Sequence, residues 1–279
     1  MLLRILFILS ILLNTNLYAQ DEDEAVVNDE TKPKVEKCED KLKDCESNEN
    51  NYRLSRYKDL YFIVGSPTTK IQISLKYKIT SLFNLYLGYS QYMFWDLGKN
   101  SFPFRDINFN PILFYRIDFP EHTFMKAIDI DIFEHNSNGK DGDASRAWSG
   151  SSIKFYTIVK FYNWSFNWDT KFYWYYNFAM GTTNWDYREY TGFWNTRLSF
   201  INYYDSDKFI DRVSFYFACF PGGNYSQRWS KGGQEIGFKF RMGWGTFYPS
   251  ILVQLYHGYN ENLLDYNKEI FAYRLGIAF

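Results

Sequence analysis

The sequence predicts an all-β fold, an antiparallel transmembrane β-barrel of about 12 strands that follows an N-terminal periplasmic tail. Aromatic residues make up 22% of the 279 residues, a content that fits a membrane barrel with an aromatic girdle at each interface. Apolar and polar residues alternate in segments such as IQISLKYKI at residues 71–79, the pattern of a strand with one apolar face. The chain also ends on an alternating segment with a terminal aromatic residue, Phe279, which is typical of outer-membrane barrels.

The first 19 residues have the pattern of a secretory signal peptide. Arg4 provides the positive charge, residues 5–13 form a short apolar core, and Ala19 is the small residue at the expected cleavage point. This apolar run is too short to cross a membrane as a helix. We therefore expect cleavage after Ala19, and no transmembrane helix beyond it.

Residues 20–56 form a polar, acidic segment that we interpret as a periplasmic tail. Cys38 and Cys45 lie in this tail. An oxidising periplasm would allow a disulfide between them, whereas a helical tail would hold them about 10 Å apart, too far to bridge; both alternatives stay open. The net charge of −1 excludes the electrostatic footprint of a nucleic-acid-binding protein.

Residues 57–279 form the predicted barrel domain. Twelve alternating segments are expected to be strands, near residues 57–64, 70–79, 82–95, 106–119, 124–135, 149–161, 164–177, 190–203, 208–220, 233–243, 248–258 and 268–279. Bacterial barrels have short periplasmic turns and long outer loops. Five loops are therefore expected at the outer end, near residues 96–105, 136–148, 178–189, 221–232 and 259–267.

Only one of the three histidines has a hydroxyl side chain in a suggestive position. His135 and Ser137 are two residues apart, so in an extended chain they point to the same side. An imidazole acting as general base would activate the hydroxyl for attack on an ester. Gly139 permits a tight turn that could direct a free N–H at a developing oxyanion.

Spacing alone leaves other interpretations open. The run Asn-Ser-Asn-Gly at 136–139 is also ordinary loop chemistry. The acidic, hydroxyl-rich stretch that follows could be a solvated loop, or it could bind Ca²⁺ through carbonyl, hydroxyl and carboxylate oxygens.

Three sequence blocks carry a resemblance to a known family. Residues 135–148 are similar to the active-site segment of outer-membrane phospholipase A, which runs H-x-S-N-G, a basic residue, and then S-R-x-W. The segments SFPFRD at 101–106 and YHGYNENLLDYN at 256–267 resemble two outer-loop segments of the same family. The resemblance implies a calcium-dependent enzyme that hydrolyses phospholipid acyl esters, with A1, A2 or lysophospholipase specificity, in the outer membrane.

The resemblance also implies roles for individual residues. His135 matches the general base, Ser137 the nucleophile, and the backbone N–H of Gly139 an oxyanion donor. The third catalytic residue of the family is an Asn directly after the Trp, where this chain has Ser149. A hydroxyl can still accept a hydrogen bond from the imidazole, but it is shorter and less constraining than an amide.

A calcium site follows from the same resemblance. Its ligands would be the carbonyl of Lys140, the hydroxyl of Ser145, and Ser101 of the partner subunit. The family's carboxylates of a resting-state calcium site match Gly142 and Thr183 here, although Asp141, Asp143 and Asp186 are adjacent. That second site therefore stays open.

The alternation of apolar and polar residues along this strand conflicts with the position of the family's catalytic pair. Ile128, Ile130 and Ile132 mark the lipid side, so strict alternation would turn His135 toward the lumen, whereas the family places the pair on the outer wall. A β-bulge at Ile132–Phe133 would shift the alternation by one residue and resolve the conflict. We therefore predict a bulge there.

Gln91 has the parity of a lipid-facing residue, where an unpaired amide is costly. It could snorkel to the interface or mark a local irregularity. Alternatively it could form a hydrogen bond across a homodimer, which agrees with the dimeric, calcium-dependent family and its outer-leaflet substrate.

Two further functions compete with hydrolysis. Polar inward positions such as Lys76, Lys78 and Arg241 could line a channel, but the side chains of a barrel this narrow largely fill it. A non-catalytic barrel that lost turnover through Ser149 is the other alternative.

Overall fold

The computed structural model is a closed antiparallel β-barrel. It describes residues 53–180, 185–204, 209–223, 228–243 and 248–279. The predicted signal peptide, almost all of the predicted tail with Cys38 and Cys45, and Thr183 lie outside these residues.

The described residues form thirteen strands, one short helix and a 3-10 turn, joined by turns and loops. The strands are β1 (Leu54–Arg56), β2 (Tyr61–Ser66), β3 (Thr69–Lys78), β4 (Leu85–Trp95), β5 (Phe104–Asp118), β6 (Met125–Ser137), β7 (Arg146–Phe161), β8 (Trp164–Met180), β9 (Trp194–Tyr203), β10 (Ile210–Gly222), β11 (Arg228–Met242), β12 (Ser250–Gly258) and β13 (Ile270–Ala278). The helix is α1 (Tyr187–Tyr190), and the 3-10 turn is Gly142–Ala144. No helix among these residues is long and apolar enough to cross a membrane.

Strands β2 to β13 each pair with the next in chain order, and the last pairs with the first. Pairing of β13 with β2 runs from Tyr273 opposite Ser66 to Ala278 opposite Tyr61, which closes the barrel. The predicted 12-stranded antiparallel barrel is therefore confirmed. Closure leaves no open edge, as a sheet in lipid requires.

The barrel is apolar outside and polar inside, the reverse of a soluble protein. On β3, Ile73 and Leu75 are 42% and 37% exposed, whereas Gln72 and Ser74 are buried. Buried charges contact across the lumen: Lys70 on β3 lies 3.2 Å from a carboxylate oxygen of Glu235 on β11. This arrangement is that of a membrane barrel with a filled interior.

The chain between β1 and β2 differs from the prediction. The first strand was expected from about residue 57, but β2 begins at Tyr61, and residues 54–56 form the additional strand β1 on the edge of β3. Between them Tyr57 stacks on Phe114 of β5, with ring centroids 5.2 Å apart. Asp59 accepts a hydrogen bond from Lys239 of β11. These contacts draw residues 57–60 into the lumen instead of along the wall.

Candidate active site

The predicted β-bulge is present on β6. Asp131 pairs with Ser152 of β7 and Glu134 pairs with Gly150, so three steps on β6 match two on β7. The pairing with β5 skips a residue at the same place, since Leu113 is opposite Phe133 and Phe114 is opposite Asp131. The predicted bulge at Ile132–Phe133 is confirmed.

The bulge sets the side of the wall on which His135 lies. Asp131 and Glu134, on either side of the bulge, are both buried, and both contact the ammonium of Lys171. His135 therefore has the opposite parity and points outward. Its ring lies parallel to that of Phe133, which is 42% exposed on the lipid-facing surface, with ring centroids 6.4 Å apart.

Ser149 lies directly opposite His135 on β7. The ring nitrogen Nδ1 of His135 and the hydroxyl Oγ of Ser149 are 2.8 Å apart, a hydrogen bond between neighbouring strands. The fold thus brings the hydroxyl of Ser149 into direct contact with the imidazole of His135.

Ser137 is the last residue of β6 and faces the same side as His135. Its hydroxyl oxygen accepts a hydrogen bond of 3.2 Å from the backbone N–H of Gly139. Among the described residues, no hydrogen bond joins the Ser137 hydroxyl to the imidazole. Such contacts are often long without substrate and tighten when it binds.

Gly139 needs the backbone freedom of glycine. Its φ is 64°, and a Cβ there would lie 3.1 Å from the ring of Phe109. Both conditions disfavour any other residue. The left-handed turn is what aims the N–H of Gly139 back at Ser137.

The loop between β6 and β7 is organised by the buried side chain of Asn138. Its Oδ1 accepts hydrogen bonds from the N–H groups of Lys140, at 3.3 Å, and Arg146, at 3.0 Å. Its Nδ2 donates to the carbonyl of Ala144 at 2.9 Å. One amide therefore ties both ends of the loop together, and the sequence analysis assigned it no role.

The predicted calcium ligands lie in two outer loops. Lys140 and Ser145 belong to the loop held by Asn138, and the ammonium of Lys140 donates to the carbonyl of Arg105 at 2.8 Å. Ser101 is exposed in the β4–β5 loop with a φ of 65°. In the described part of the chain, no group of three or more His, Cys, Asp or Glu residues could hold a metal ion. The predicted set differs in kind, because it consists of carbonyl and hydroxyl oxygens.

Gln91 lies on the outward side of β4, as predicted. The hydroxyl of Tyr89, two residues away on the same face, donates to Oε1 of Gln91 at 2.8 Å. Within the described residues, the Nε2 group of Gln91 has no hydrogen-bond partner. The amide thus keeps two donors available on the barrel's exterior.

The β12–β13 loop folds over the outer end of the lumen beside the candidate site. Its Leu263 and Tyr266 pack with Trp148 of β7 and Tyr187 of α1 in one buried cluster. Burial raises the pKa of the Tyr187 hydroxyl to about 12, so it is neutral at physiological pH. This roof supports the inner side of β7, whose outer side carries Ser149.

The sequence is similar to known proteins over most of its length. A family model described as Phospholipase A1 matches residues 41–279. The phospholipase A1 proteins of Salmonella typhimurium and Escherichia coli K12 are each 28% identical over 210 residues, which cover 71% of this chain and 64% of theirs. A putative phospholipase A1 of Neisseria meningitidis is 26% identical over 226 residues, 76% of this chain and 54% of its own. The chain thus matches less than two thirds of these relatives' length.

Solved structures share the fold. Outer membrane phospholipase A from Escherichia coli superposes with a TM-score of 0.63 at 22% identity, over 82% of this chain and 93% of that one. The dimer of the Salmonella typhi outer membrane phospholipase with bound calcium gives 0.62 at 22% identity, over 83% and 94%. The closed barrel and its apolar exterior make this protein an outer-membrane β-barrel, and the match over residues 41–279 makes the chain a member of the phospholipase A1 family.

Proposed function

We propose that this protein is a calcium-dependent outer-membrane phospholipase that hydrolyses acyl esters of phospholipids. The single observation that carries the proposal is the 2.8 Å contact between the His135 imidazole and the Ser149 hydroxyl. His135 lies two residues before Ser137 on the outward side of β6. A nucleophilic hydroxyl, a base and a group that orients the base are the elements of acyl transfer.

The hydrogen bond to Ser149 is compatible with the tautomer that a general base needs. For Nε2 of His135 to accept a proton, Nδ1 must carry one and donate it to an acceptor. The Oγ of Ser149 is that acceptor. The imidazole is then held with the lone pair of Nε2 available to the Ser137 hydroxyl.

The reaction follows from these positions. Ser137 Oγ attacks the ester carbonyl carbon as its proton passes to Nε2 of His135, and the N–H of Gly139 turns from Oγ to the developing oxyanion. The imidazolium then protonates the leaving alcohol, which departs as a lysophospholipid. Water, deprotonated by the same imidazole, cleaves the acyl-enzyme to release a fatty acid and restore Ser137.

The residues expected to hold calcium have suitable donors. Hard cations take carbonyl, hydroxyl and carboxylate oxygens, and the loop tied by Asn138 offers the Lys140 carbonyl, the Ser145 hydroxyl and two flanking carboxylates, Asp141 and Asp143. Bound Ca²⁺ would supply electrostatic stabilisation of negative charge on the ester carbonyl oxygen.

The active form in this proposal is a homodimer in the outer membrane. Ser101 of the partner subunit would complete the calcium site, and the free donors of Gln91 would form hydrogen bonds across the interface, where lipid offers no partner. Substitution Gln91→Ala should then lower the cross-linked dimer fraction and the activity in parallel. Full activity from strictly monomeric protein would contradict the dimer.

Calcium-dependent release of fatty acid from phospholipid in mixed micelles tests the proposal. Activity should be abolished by EDTA and restored by Ca²⁺, and Ser137→Ala should abolish it in folded protein. Thr157→Ala removes a hydroxyl near the opposite end of β7, away from the triad; it is the matched control and should retain activity. Intact lipid after incubation with calcium-loaded protein refutes the proposal, and ion conductance in planar bilayers would favour a channel.

A further inference from the structure

A proline interrupts the β5 ladder opposite the candidate base. Pairing of Ile112 with Glu134 and of Phe109 with Ser137 places Pro111 across from His135. Proline has no N–H, and within a sheet it removes a ladder hydrogen bond. Pro111 lies in the middle of a 15-residue strand with neighbours on both sides.

The missing donor would have served His135. N–H groups along a strand point alternately to the two neighbours, and the N–H of Arg116 bonds the carbonyl of Asn84 on the β4 side. Residue 111 is an odd number of positions from Arg116, so its backbone N and C=O groups point to β6 instead. Because Pro111 has no N–H, the backbone carbonyl of His135 lacks the donor that the ladder would otherwise provide.

The side chain of the preceding residue fills this gap. Nδ2 of Asn110 donates to the carbonyl of His135 at 2.9 Å and to Oε1 of Glu134 at 3.1 Å. Asn110 is only 3% exposed, so both hydrogen bonds are shielded from water.

The second contact ties the amide to a rigid support. Oε2 of Glu134 lies 2.7 Å from the ammonium of Lys171, which also lies 2.8 Å from Asp131. All three side chains are buried. Asp131 and Glu134 flank the bulge, so this ion pair network holds the β6 backbone on both sides of the irregularity that turns His135 outward.

We infer that Asn110 is a positioning residue for His135: its amide replaces the N–H that Pro111 lacks and fixes the backbone of the base against the Glu134–Lys171 pair. The inference rests on the proposed function for its catalytic consequence. It concerns the lumen side of the wall, and Asn110 touches no reacting atom.

The test compares three variants in the full-length protein. Asn110→Ala removes the amide. Asn110→Ala with Pro111→Ala removes it but restores a backbone N–H opposite His135. Gln254→Ala is the matched control, because it deletes an equally buried lumen amide that contacts Lys70 and Tyr216.

Two measurements are made on each folded variant: kcat and KM for micellar phospholipid, and hydrogen–deuterium exchange of the peptide covering residues 133–137. Asn110→Ala should lower kcat on the order of tenfold with little change in KM, since small misplacements of a catalytic group slow chemistry. Exchange of the peptide should rise. The double variant should recover most of both losses, and the Gln254 variant should change neither.

The outcomes separate this inference from the proposed function. An unchanged kcat and exchange in Asn110→Ala, or a double variant no better than the single one, overturns the positioning role. If the wild-type protein hydrolyses no lipid, the proposed function fails, and the exchange measurement alone still decides whether Asn110 supports the His135 backbone.

Discussion

Nδ1 of His135 and Oγ of Ser149 lie 2.8 Å apart across neighbouring strands on the lipid-facing side of the barrel. The backbone carbonyl of His135 points to β5, where it accepts a hydrogen bond from Asn110. The backbone groups of His135 therefore face away from β7, so His135 and Ser149 form a pair without ladder hydrogen bonds. In such pairs the facing side chains are closest. The geometry therefore allows a side chain as short as serine to reach the imidazole.

Substitutions of Ser149 should show whether its side chain orients the imidazole of His135. We expect Ser149→Ala to lower kcat by about tenfold to a hundredfold, because the imidazole loses the hydrogen bond that holds its ring in place. Ser149→Asn introduces the amide found in the resembling family and should retain or raise kcat. Initial rates of fatty-acid release provide the measurement. Equal kcat for the alanine variant and the wild type would show that Ser149 does not orient the base.

Deleting both bulge residues should turn the base into the lumen. Loss of Ile132 and Phe133 places Glu134 directly after the inward-facing Asp131, so Glu134 would point toward lipid and His135 inward. We expect a barrel that has lost hydrolysis and stability, the latter because a charge faces the hydrocarbon. Deletion of Ile132 alone removes the bulge but leaves Glu134 inward and His135 outward, and it serves as the control that retains activity. Wild-type activity in the folded double-deletion variant would contradict this account.

The sequence predicts the barrel well because its signal is local. Each strand shows its alternation in its own residues, and even the bulge is marked by two consecutive apolar residues, Ile132 and Phe133. The strand β1 and the inward path of residues 57–60 were missed for the opposite reason. Asp59 leaves the wall because of Lys239, 180 positions further along the chain, which no local pattern reveals.

The site was predictable only in part. Spacing placed His135 and Ser137 on one face but left ordinary loop chemistry as an open alternative, and their roles came from the resemblance. Asn110 carried no signal, and Asn138 matched the family motif without any role being predicted for it. Whether a buried asparagine supports a site depends on which backbone groups its amide reaches, and that depends on the pairing of strands and on the turn of a loop.

The amide of Asn138 should control the affinity for calcium. Asn138→Ala breaks three hydrogen bonds inside the loop that carries Lys140 and Ser145. We expect the calcium concentration for half-maximal activity to rise about tenfold, since the ligands must be ordered on binding. A calcium titration of activity checks this, with Asn163→Ala in an opposite turn as the control. An unchanged titration midpoint would exclude the role.

The last outer loop should respond to pH through Asp265. Its carboxylate accepts hydrogen bonds from Arg105 and from Lys268, the latter at 2.7 Å. Burial alone would raise the pKa of this carboxyl, but the hydrogen bonds and charges of the two cations outweigh burial and lower the pKa. A depressed pKa contributes stability that is present above the unfolded value, about 3.9, and is lost as pH falls through the folded one.

The loop of residues 259–269 should therefore stay closed between pH 7 and pH 5 and open only at pH below about 4. Hydrogen–deuterium exchange of this segment, corrected for the intrinsic pH dependence of exchange, measures the opening. Asp265→Asn removes the charge and should increase exchange already at neutral pH while flattening its response to acid. Opening of the wild-type loop between pH 7 and pH 5 would mean that another group controls it. Closure in the asparagine variant at neutral pH would mean that the ion pair with Arg105 contributes nothing to holding the roof beside Trp148.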